Sequence, residues 1–389
     1  MNKKISLGLA VSLIAIASAV TFILTSFFSL QSYNEKGINV NEQAKKYSSL
    51  QSIDSYVREN YYGNIDESKL NDGILKGYLS GLGDKYSRYL TADEYISEQN
   101  DNNGELVGLG LTLTKDESGY IKIVEIAENS PVSEGGLIAG DIITAVDGVD
   151  VLSAGFDKSV DSMKGTEGSN ITLTVRRDAV DKDYTFTRSQ IEITSVTGEM
   201  RDNYIGYIKI SGFKANTPEQ FMEVIERLTL NGAKGLVFDL RDNPGGLATA
   251  LQSCLDPLLP EGIIAVAEYK DGHTETMVYS DESELNLPMA VLVNKNTASA
   301  GELFSASLHD FGKAKLIGEK TYGKGVMQDI TEFENGGAVV LTVAEYRTTV
   351  SECYNGVGIT PDYSVDDDIT TENDEQYDKA VEVVLSEMK

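Results

Sequence analysis

The sequence predicts an α+β multidomain protein, and three observations carry that reading. A long uncharged run opens the chain, short β-rich runs broken by Gly, Asp and Asn fill its middle, and a strand-helix-strand pattern follows. The 389 residues leave room for two or three domains of roughly 100–200 residues each. Hydrophobic residues make up 41% and charged residues 24%, which fits a globular body with a buried core.

Met1 to Lys4 carries two lysines, and Ile5 to Leu30 then runs without a charged residue. A bilayer span needs about 20 apolar residues. Residues 1–30 are therefore expected to form a signal-anchor or transmembrane segment. The basic flank orients it with the amino end in the cytoplasm of a bacterial-type cell and the body of the chain outside. Ala17-Ser18-Ala19 resembles a signal-peptide cleavage site, the alternative that would leave the protein secreted. Residues 31–46 are polar and read as a spacer. From 47 to 104, Leu50, Ile53, Val57, Leu70, Ile74, Tyr78 and Leu82 recur at helical spacing. Residues 105–191 form a compact β domain, with strands such as Ile121–Val124 and Ile171–Val175. Residues 192–389 read as an α/β domain with its own sheet, built from Ile205–Ile210, Gly235–Leu240, Ala290–Val293 and Ala338–Val343. Its first helix follows Thr217-Pro218-Glu219-Gln220. Thr217 and Gln220 have capping-box spacing, and Phe221, Val224, Ile225 and Leu228 form an apolar stripe ended by Asn231-Gly232. Tyr377, Val381, Val384 and Leu385 suggest a closing helix.

Composition narrows the chemistry. Lys+Arg 33 against Asp+Glu 61 gives a net charge of −28, which disfavours nucleic acid as a partner. His273, His309, Cys254 and Cys353 are too few for a usual zinc shell or a disulfide framework. No metal and no cofactor is expected, and catalysis should largely avoid imidazole.

Three segments invite a functional reading. In Asp239-Leu240-Arg241-Asp242-Asn243-Pro244-Gly245-Gly246, two glycines after a strand let the backbone turn and expose N–H groups, as an anion nest requires, although a plain turn is commoner. In Thr297-Ala298-Ser299-Ala300-Gly301-Glu302, a serine at a strand-to-helix junction can present its hydroxyl with the next N–H free. The plain reading there is a capping box between Ser299 and Glu302. In Gly323-Lys324-Gly325-Val326-Met327-Gln328, the phosphate-loop spacing is absent and a solvated loop lysine is the plain reading; on a strand Lys324 and Gln328 would share a face.

In order along the chain, these segments and Glu319-x-Thr321 resemble the carboxy-terminal processing peptidases, the tail-specific Ser/Lys proteases. The resemblance implies Ser299 as nucleophile, Lys324 as general base 25 residues later (324 − 299), and Gln328 as the group orienting the lysine. It further implies an oxyanion hole from the Ala300 and Gly245 N–H groups. Gly301 stands where many members have a second serine, away from the nucleophile position. Asp84-x-Tyr86-Ser87-x-Tyr89-Leu90 resembles the helical prelude of these enzymes, with Gly83-Asp84-Lys85 in place of the usual Asp-Pro pair. Gly108-Leu109-Gly110-Leu111, Gly140-Asp141 and Asp147-Gly148 are similar to a PDZ domain, which implies that Leu109, Gly110 and Leu111 cradle a peptide carboxylate. Asn355-Gly356-Val357-Gly358-Ile359-x-Pro361-Asp362 resembles the end of the protease domain.

The implied function is an extracytoplasmic serine endopeptidase acting on proteins or peptides with accessible C-terminal tails. The resemblance further implies that peptide binding moves the PDZ domain relative to Lys324, as in related enzymes whose dyad is assembled only when substrate arrives. An inactive PDZ scaffold is the alternative, disfavoured because Ser299, Lys324 and Gln328 are all present; an apolar-ligand carrier is weaker still. A homo-oligomer stays open.

Overall fold

The computed structural model describes residues 45, 47–127, 130–133, 135–281, 284–366 and 373–388. The apolar run Ile5 to Leu30 lies outside them. Among the described residues no helix is long and apolar enough to cross a membrane.

The chain divides into two units, residues 1–74 and 75–389. In the first, the helical spacing produces α1 over residues 47–60 and the start of α2 (Glu67–Ser80). The guanidinium of Arg58 holds the carboxylate of Glu67 at 2.5 and 2.9 Å. The apolar side chains Leu50 and Ile53 of α1 remain exposed, so this periodicity reads helix correctly without marking a core.

The second unit opens with β1 (Arg88–Leu90) and α3 (Ala92–Asn103). Thr91 and Glu94 form the capping box of α3, and Gly104 ends it with φ 78°. A β domain follows. Its elements are β2 (Glu105–Gly108), β3 (Leu111–Lys115), β4 (Ile121–Ile126), β5 (Ile142–Val146), β6 (Val149–Asp150), α4 (Val151–Ala154), α5 (Phe156–Met163), β7 (Asn170–Arg177), β8 (Val180–Thr187) and β9 (Ser189–Glu192). The sheet order is β3-β4-β5-β7-β8, with β6 on β5, while β2 and β9 pair as a separate ribbon. Alternate residues Ile171, Leu173 and Val175 of β7 are buried, the period-two pattern of a strand with one face in the core. Asp141 is buried because Arg177 grips both its oxygens at 2.6 Å and the Ile138 N–H donates to it at 3.0 Å.

The rest of the chain contributes β10 (Val196–Arg201), β11 (Ile205–Ile210), α6 (Thr217–Leu230), β12 (Gly235–Asp239), α7 (Ala248–Leu255), β13 (Gly262–Tyr269), β14 (Thr274–Ser280), β15 (Met289–Val293), α8 (Ala300–Asp310), β16 (Ala314–Gly318), β17 (Val326–Glu332), β18 (Ala338–Thr348), β19 (Tyr363–Ser364) and α9 (Glu375–Glu387). They build two sheets, not the single one expected. One runs β10-β11-β12-β15-β16-β19, parallel throughout from β11. The other runs β1-β18-β13-β14 with β17 on β18. Ala338–Val343 thus belongs to a different sheet from Ala290–Val293. Every residue of β12 and β15 is buried, which is why both read as unbroken apolar runs.

Helix α6 buries Phe221, Val224, Ile225 and Leu228 as its stripe predicts. Its expected capping box does not form. Thr217 lies inside the helix and its hydroxyl accepts from the Lys214 N–H at 2.7 Å. The Gln220 amide oxygen instead takes the N–H groups of Ser195 (2.8 Å) and Val196 (3.1 Å). Satisfying a neighbouring strand end outweighs the local cap.

Candidate active site

Topology brings the three segments together. Strands β12, β15 and β16 are adjacent and parallel, so the loops that follow them leave the same carboxyl edge of the sheet. The first loop follows β12, the second follows β15, and the Lys324 loop follows β16. They are stitched to one another: the Ala298 N–H donates to Asn243 O (2.9 Å), the Thr297 hydroxyl to Leu240 O (2.8 Å), and the Tyr322 N–H to Thr297 O (3.1 Å).

Ser299 sits at the N-cap of α8 with φ 53° and ψ −119°, a backbone conformation that an L-residue rarely adopts. Helix α8 is buried from Ala300 to Leu308, so the elbow stands on a packed element. Gly245 lies directly against it. A Cβ at that position, where φ is +105°, would fall 2.7 Å from Ser299 Cβ and 2.9 Å from Ala300 N. Only glycine leaves space beside the Ala300 N–H. The Gly245 N–H itself donates to Asn243 Oδ1 at 2.8 Å, because the fully buried Asn243 must satisfy its amide; its other end donates to Ile210 O at 2.8 Å. The donor expected to face an oxyanion is therefore engaged here.

Glu302 has a larger part than a cap. Its fully buried carboxylate accepts from the Ser299 N–H (3.0 Å), the Thr321 hydroxyl (2.5 Å), the Gly323 N–H (2.7 Å) and the Lys324 N–H (2.8 Å). One side chain thus fastens the serine elbow to the lysine loop. The sequence carried a signal for it, the three-residue spacing from Ser299, but that spacing reveals only the local bond. The segment Asn355–Asp362 backs the same loop: the Gly356 N–H donates to Gly323 O (2.9 Å) and the Ile359 N–H to the Thr321 hydroxyl (2.7 Å). Gly323 and Gly325 are needed for this packing, since a Cβ would lie 2.8 Å from Gly358 N or from Cys353 Sγ.

The Lys324 amine is placed differently from its backbone. Among the described residues Nζ makes no hydrogen bond or ion pair, and it lies over the Tyr86 ring, 4.8 Å from the centroid. Burial first, and the positive charge of Arg88 second, pull its pKa below the ordinary lysine value. Gln328 does not reach it. Lys324 is in a loop before β17, so the same-face argument does not apply, and the Gln328 amide donates to the Thr342 hydroxyl at 3.1 Å. The structure thus brings Ser299, Ala300, Gly245 and the Lys324 backbone together and leaves the amine and Gln328 apart.

In the β domain, strand β3 pairs only with β4 among the described residues, which leaves its outer edge open to an added strand there. The preceding turn depends on Gly110, whose φ is +62° and whose Cβ would meet Ile191 Cδ1 at 3.0 Å and Ser130 Cβ at 3.1 Å. Leu109 is buried in the domain core, and its carbonyl accepts from the Ser130 hydroxyl at 2.5 Å. Leu111 follows as the first residue of β3.

Comparison with known proteins agrees with this architecture. Residues 204–365 match the model of Peptidase family S41, residues 122–177 that of a PDZ domain, and residues 14–94 that of the Activating protease CtpB N-terminal domain. The chain is 33% identical over 364 residues to the carboxy-terminal processing protease CtpA of Bacillus subtilis (strain 168), covering 93% of this chain and 77% of the relative. It is 30% identical over 354 residues to a probable CtpA-like serine protease of Staphylococcus aureus (strain N315), covering 89% and 71%. Two solved structures share the fold: a photosystem II D1 C-terminal processing protease (TM-score 0.51, 24% identity, 88% of this chain and 91% of that one) and a putative S41 protease from Bacteroides fragilis (TM-score 0.54, 18% identity, 86% and 97%). The chain belongs to peptidase family S41 and is a carboxy-terminal processing serine protease with a PDZ domain.

Proposed function

We propose that Ser299 is the nucleophile of this protease and Lys324 its general base. The observation that carries the reading is the Glu302 tether, which holds the strained Ser299 backbone and the Lys324 backbone on one buried carboxylate. Neutral Lys324 takes the Ser299 proton as Oγ attacks the scissile carbonyl; the resulting ammonium gives that proton to the leaving amine as the C–N bond breaks, leaving an acyl-enzyme that water hydrolyses. A free lysine titrates near about 10.4, and burial supports a neutral amine by destabilising the ammonium. The Ala300 N–H meets the oxyanion, joined by that of Gly245 once Asn243 releases it; each such donor is worth about 10²–10³ in rate.

The arrangement described above is a resting one. Nζ has yet to form its hydrogen bond to Ser299, and Gln328 must leave Thr342 to orient it. A C-terminal tail that adds to the open edge of β3, with its carboxylate on the Leu109-Gly110-Leu111 backbone, supplies the binding energy for that change. The β2–β9 ribbon carries the chain into and out of the PDZ domain and is the natural hinge. The run Ile5 to Leu30 anchors the chain in a bacterial-type cell membrane, with the protease outside the cytoplasm.

Incubation of the purified protein with casein, resolved on a gel, tests the assignment. Ser299→Ala and Lys324→Ala should each abolish cleavage while keeping the fold and tail-peptide binding. Ordinary cleavage by either variant would sink the dyad.

A further inference from the structure

Two buried phenols stand next to the serine elbow. Tyr346, on β18, is 3% exposed, and Tyr354 is 8% exposed and packs edge-on against it with ring centroids 6.1 Å apart. Their hydroxyls differ. Tyr346 Oη donates to Lys324 O at 2.8 Å and lies 3.4 Å from Ser299 Oγ. The backbone N–H of Tyr346 also donates to Gly325 O at 3.0 Å, so the residue binds the lysine loop twice. Tyr354 Oη has no hydrogen-bond partner among the described residues.

We propose that Tyr346 is a further catalytic residue of this protease, whose phenol fixes the Ser299 hydroxyl in its attacking rotamer and stabilises the charge that develops on Oγ. The inference rests on Ser299 being the nucleophile. A serine hydroxyl on a strained backbone still rotates about χ1, and the elbow alone does not choose a rotamer. Tyr346 meets Ser299 Oγ in the resting arrangement beside the Glu302 N–H of the α8 capping box, and through Lys324 O it ties that oxygen to the loop bearing the base. When Lys324 Nζ takes the Ser299 proton, the Oγ–C bond forms and the carbonyl electron pair moves onto the oxyanion. Tyr346 keeps its own proton throughout. It turns that O–H from Lys324 O toward Oγ as negative charge gathers there, and back as the acyl-enzyme bond is made. Burial pushes the Tyr346 phenol above its ordinary value, so it remains a donor across the range in which Lys324 titrates.

The contrast between the phenols supplies the control. Tyr346→Phe removes a hydroxyl at Ser299 Oγ and leaves the ring; Tyr354→Phe removes a hydroxyl that makes no hydrogen bond among the described residues and likewise leaves its ring. The full chain is treated with a fluorophosphonate probe in the presence of a tail peptide ending in an apolar residue, and labelling of Ser299 is timed alongside casein turnover. Tyr346→Phe should slow labelling and lower kcat by about tenfold or more. KM, tail binding and the pH at the middle of the ascending limb should stay as in the parent, because packing, the PDZ domain and Lys324 are untouched. Tyr354→Phe should match the parent throughout. Labelling and kcat within about twofold of the parent in Tyr346→Phe would overturn the inference, and so would an equal loss in Tyr354→Phe, which would assign the effect to the loss of any buried hydroxyl from this pair rather than to the one at Ser299 Oγ. If the parent protein is not labelled at Ser299, the nucleophile assignment itself is wrong, an outcome separate from either.

Discussion

The serine side and the lysine side of the site are built to different degrees of completion. Ser299 rests on a helix buried from Ala300 to Leu308, is flanked by a glycine that nothing larger can replace, and carries a fixed unusual backbone conformation. Lys324 has its backbone fixed equally well, by Glu302 and by the segment Asn355–Asp362, but its amine rests on an aromatic ring away from the serine. On the proposed Ser299/Lys324 assignment, the difference teaches that the loop backbones are held in place while side-chain contacts, those of Lys324 and Gln328, are still to be made. A long flexible side chain is the cheapest part to leave unassembled, since moving it disturbs no packed core.

Removing the tether should have the largest effect. Glu302→Gln keeps the shape but replaces one acceptor oxygen by an NH₂ group facing donors, so at least one buried N–H or hydroxyl loses its partner. A loss of about 2–4 kcal/mol is expected in denaturant unfolding. Because the bond spans both halves of the site, kcat should fall by up to about 10²-fold with tail binding kept. Unchanged kcat in a variant that unfolds at lower denaturant would show that Glu302 supports the fold alone.

A smaller effect, of opposite sign, is expected at the ring beneath the amine. A cation over an aromatic face gains about 0.5–2 kcal/mol. Tyr86 therefore favours both the parked position and the protonated form of Lys324. Lys85 also lies over the same ring, at 4.8 Å, and donates to the Tyr322 hydroxyl at 2.8 Å. Tyr86→Leu should raise casein turnover in the absence of tail peptide by about two- to fivefold, while leaving the peptide-stimulated rate close to that of the parent. A basal rate that stays level or falls would remove Tyr86 from the resting arrangement.

What the sequence reveals follows the range of each interaction. The α6 stripe, the fully buried β12 and β15 and the three motif loops are local patterns, and each is found where the residues predict it. The family resemblance carried the names of Ser299 and Lys324. Contacts made across the fold were not legible. Tyr346 reads as an ordinary strand residue, and only the pairing of β18 with β13 and β17 brings it to a serine 47 positions earlier. Tyr86 reaches Lys324 from the far side of the β domain. The second sheet was missed for the same reason, since β1 joins it from about 250 residues upstream of its partner β18. The partners of Gln220 and Gln328 were not legible for a further reason: a side chain with several donors and acceptors takes whichever partner the tertiary structure offers.

The smallest expected effect is on the histidines, and it separates the lysine mechanism from the commoner imidazole one. If Lys324 is the general base it acts when neutral, and its pKa is lowered, so kcat/KM should rise as pH rises through that lowered value and then level off. His309 is ten residues beyond Ser299, about 15 Å along α8 at about 1.5 Å per residue. Its ring nitrogens lie 3.2 Å from Asp310 Oδ1 and 3.5 Å from Asp362 Oδ2, and the hydrogen bond to Asp310 raises its pKa despite burial and nearby Lys315. His273 lies between β13 and β14, stacked on Tyr269 at 4.4 Å, and its bond to Asp271 raises it too. A histidine with a raised folded pKa contributes stability that is complete below its unfolded value of about 6.5 and is lost as pH rises through the folded value. The double variant His273→Gln with His309→Gln should therefore melt below the parent in acid. The gap should close on the alkaline side, where the ascending limb and its plateau should be those of the parent. Collapse of kcat/KM on that side, with the melting temperature equal to the parent's, would transfer the general base from Lys324 to a histidine.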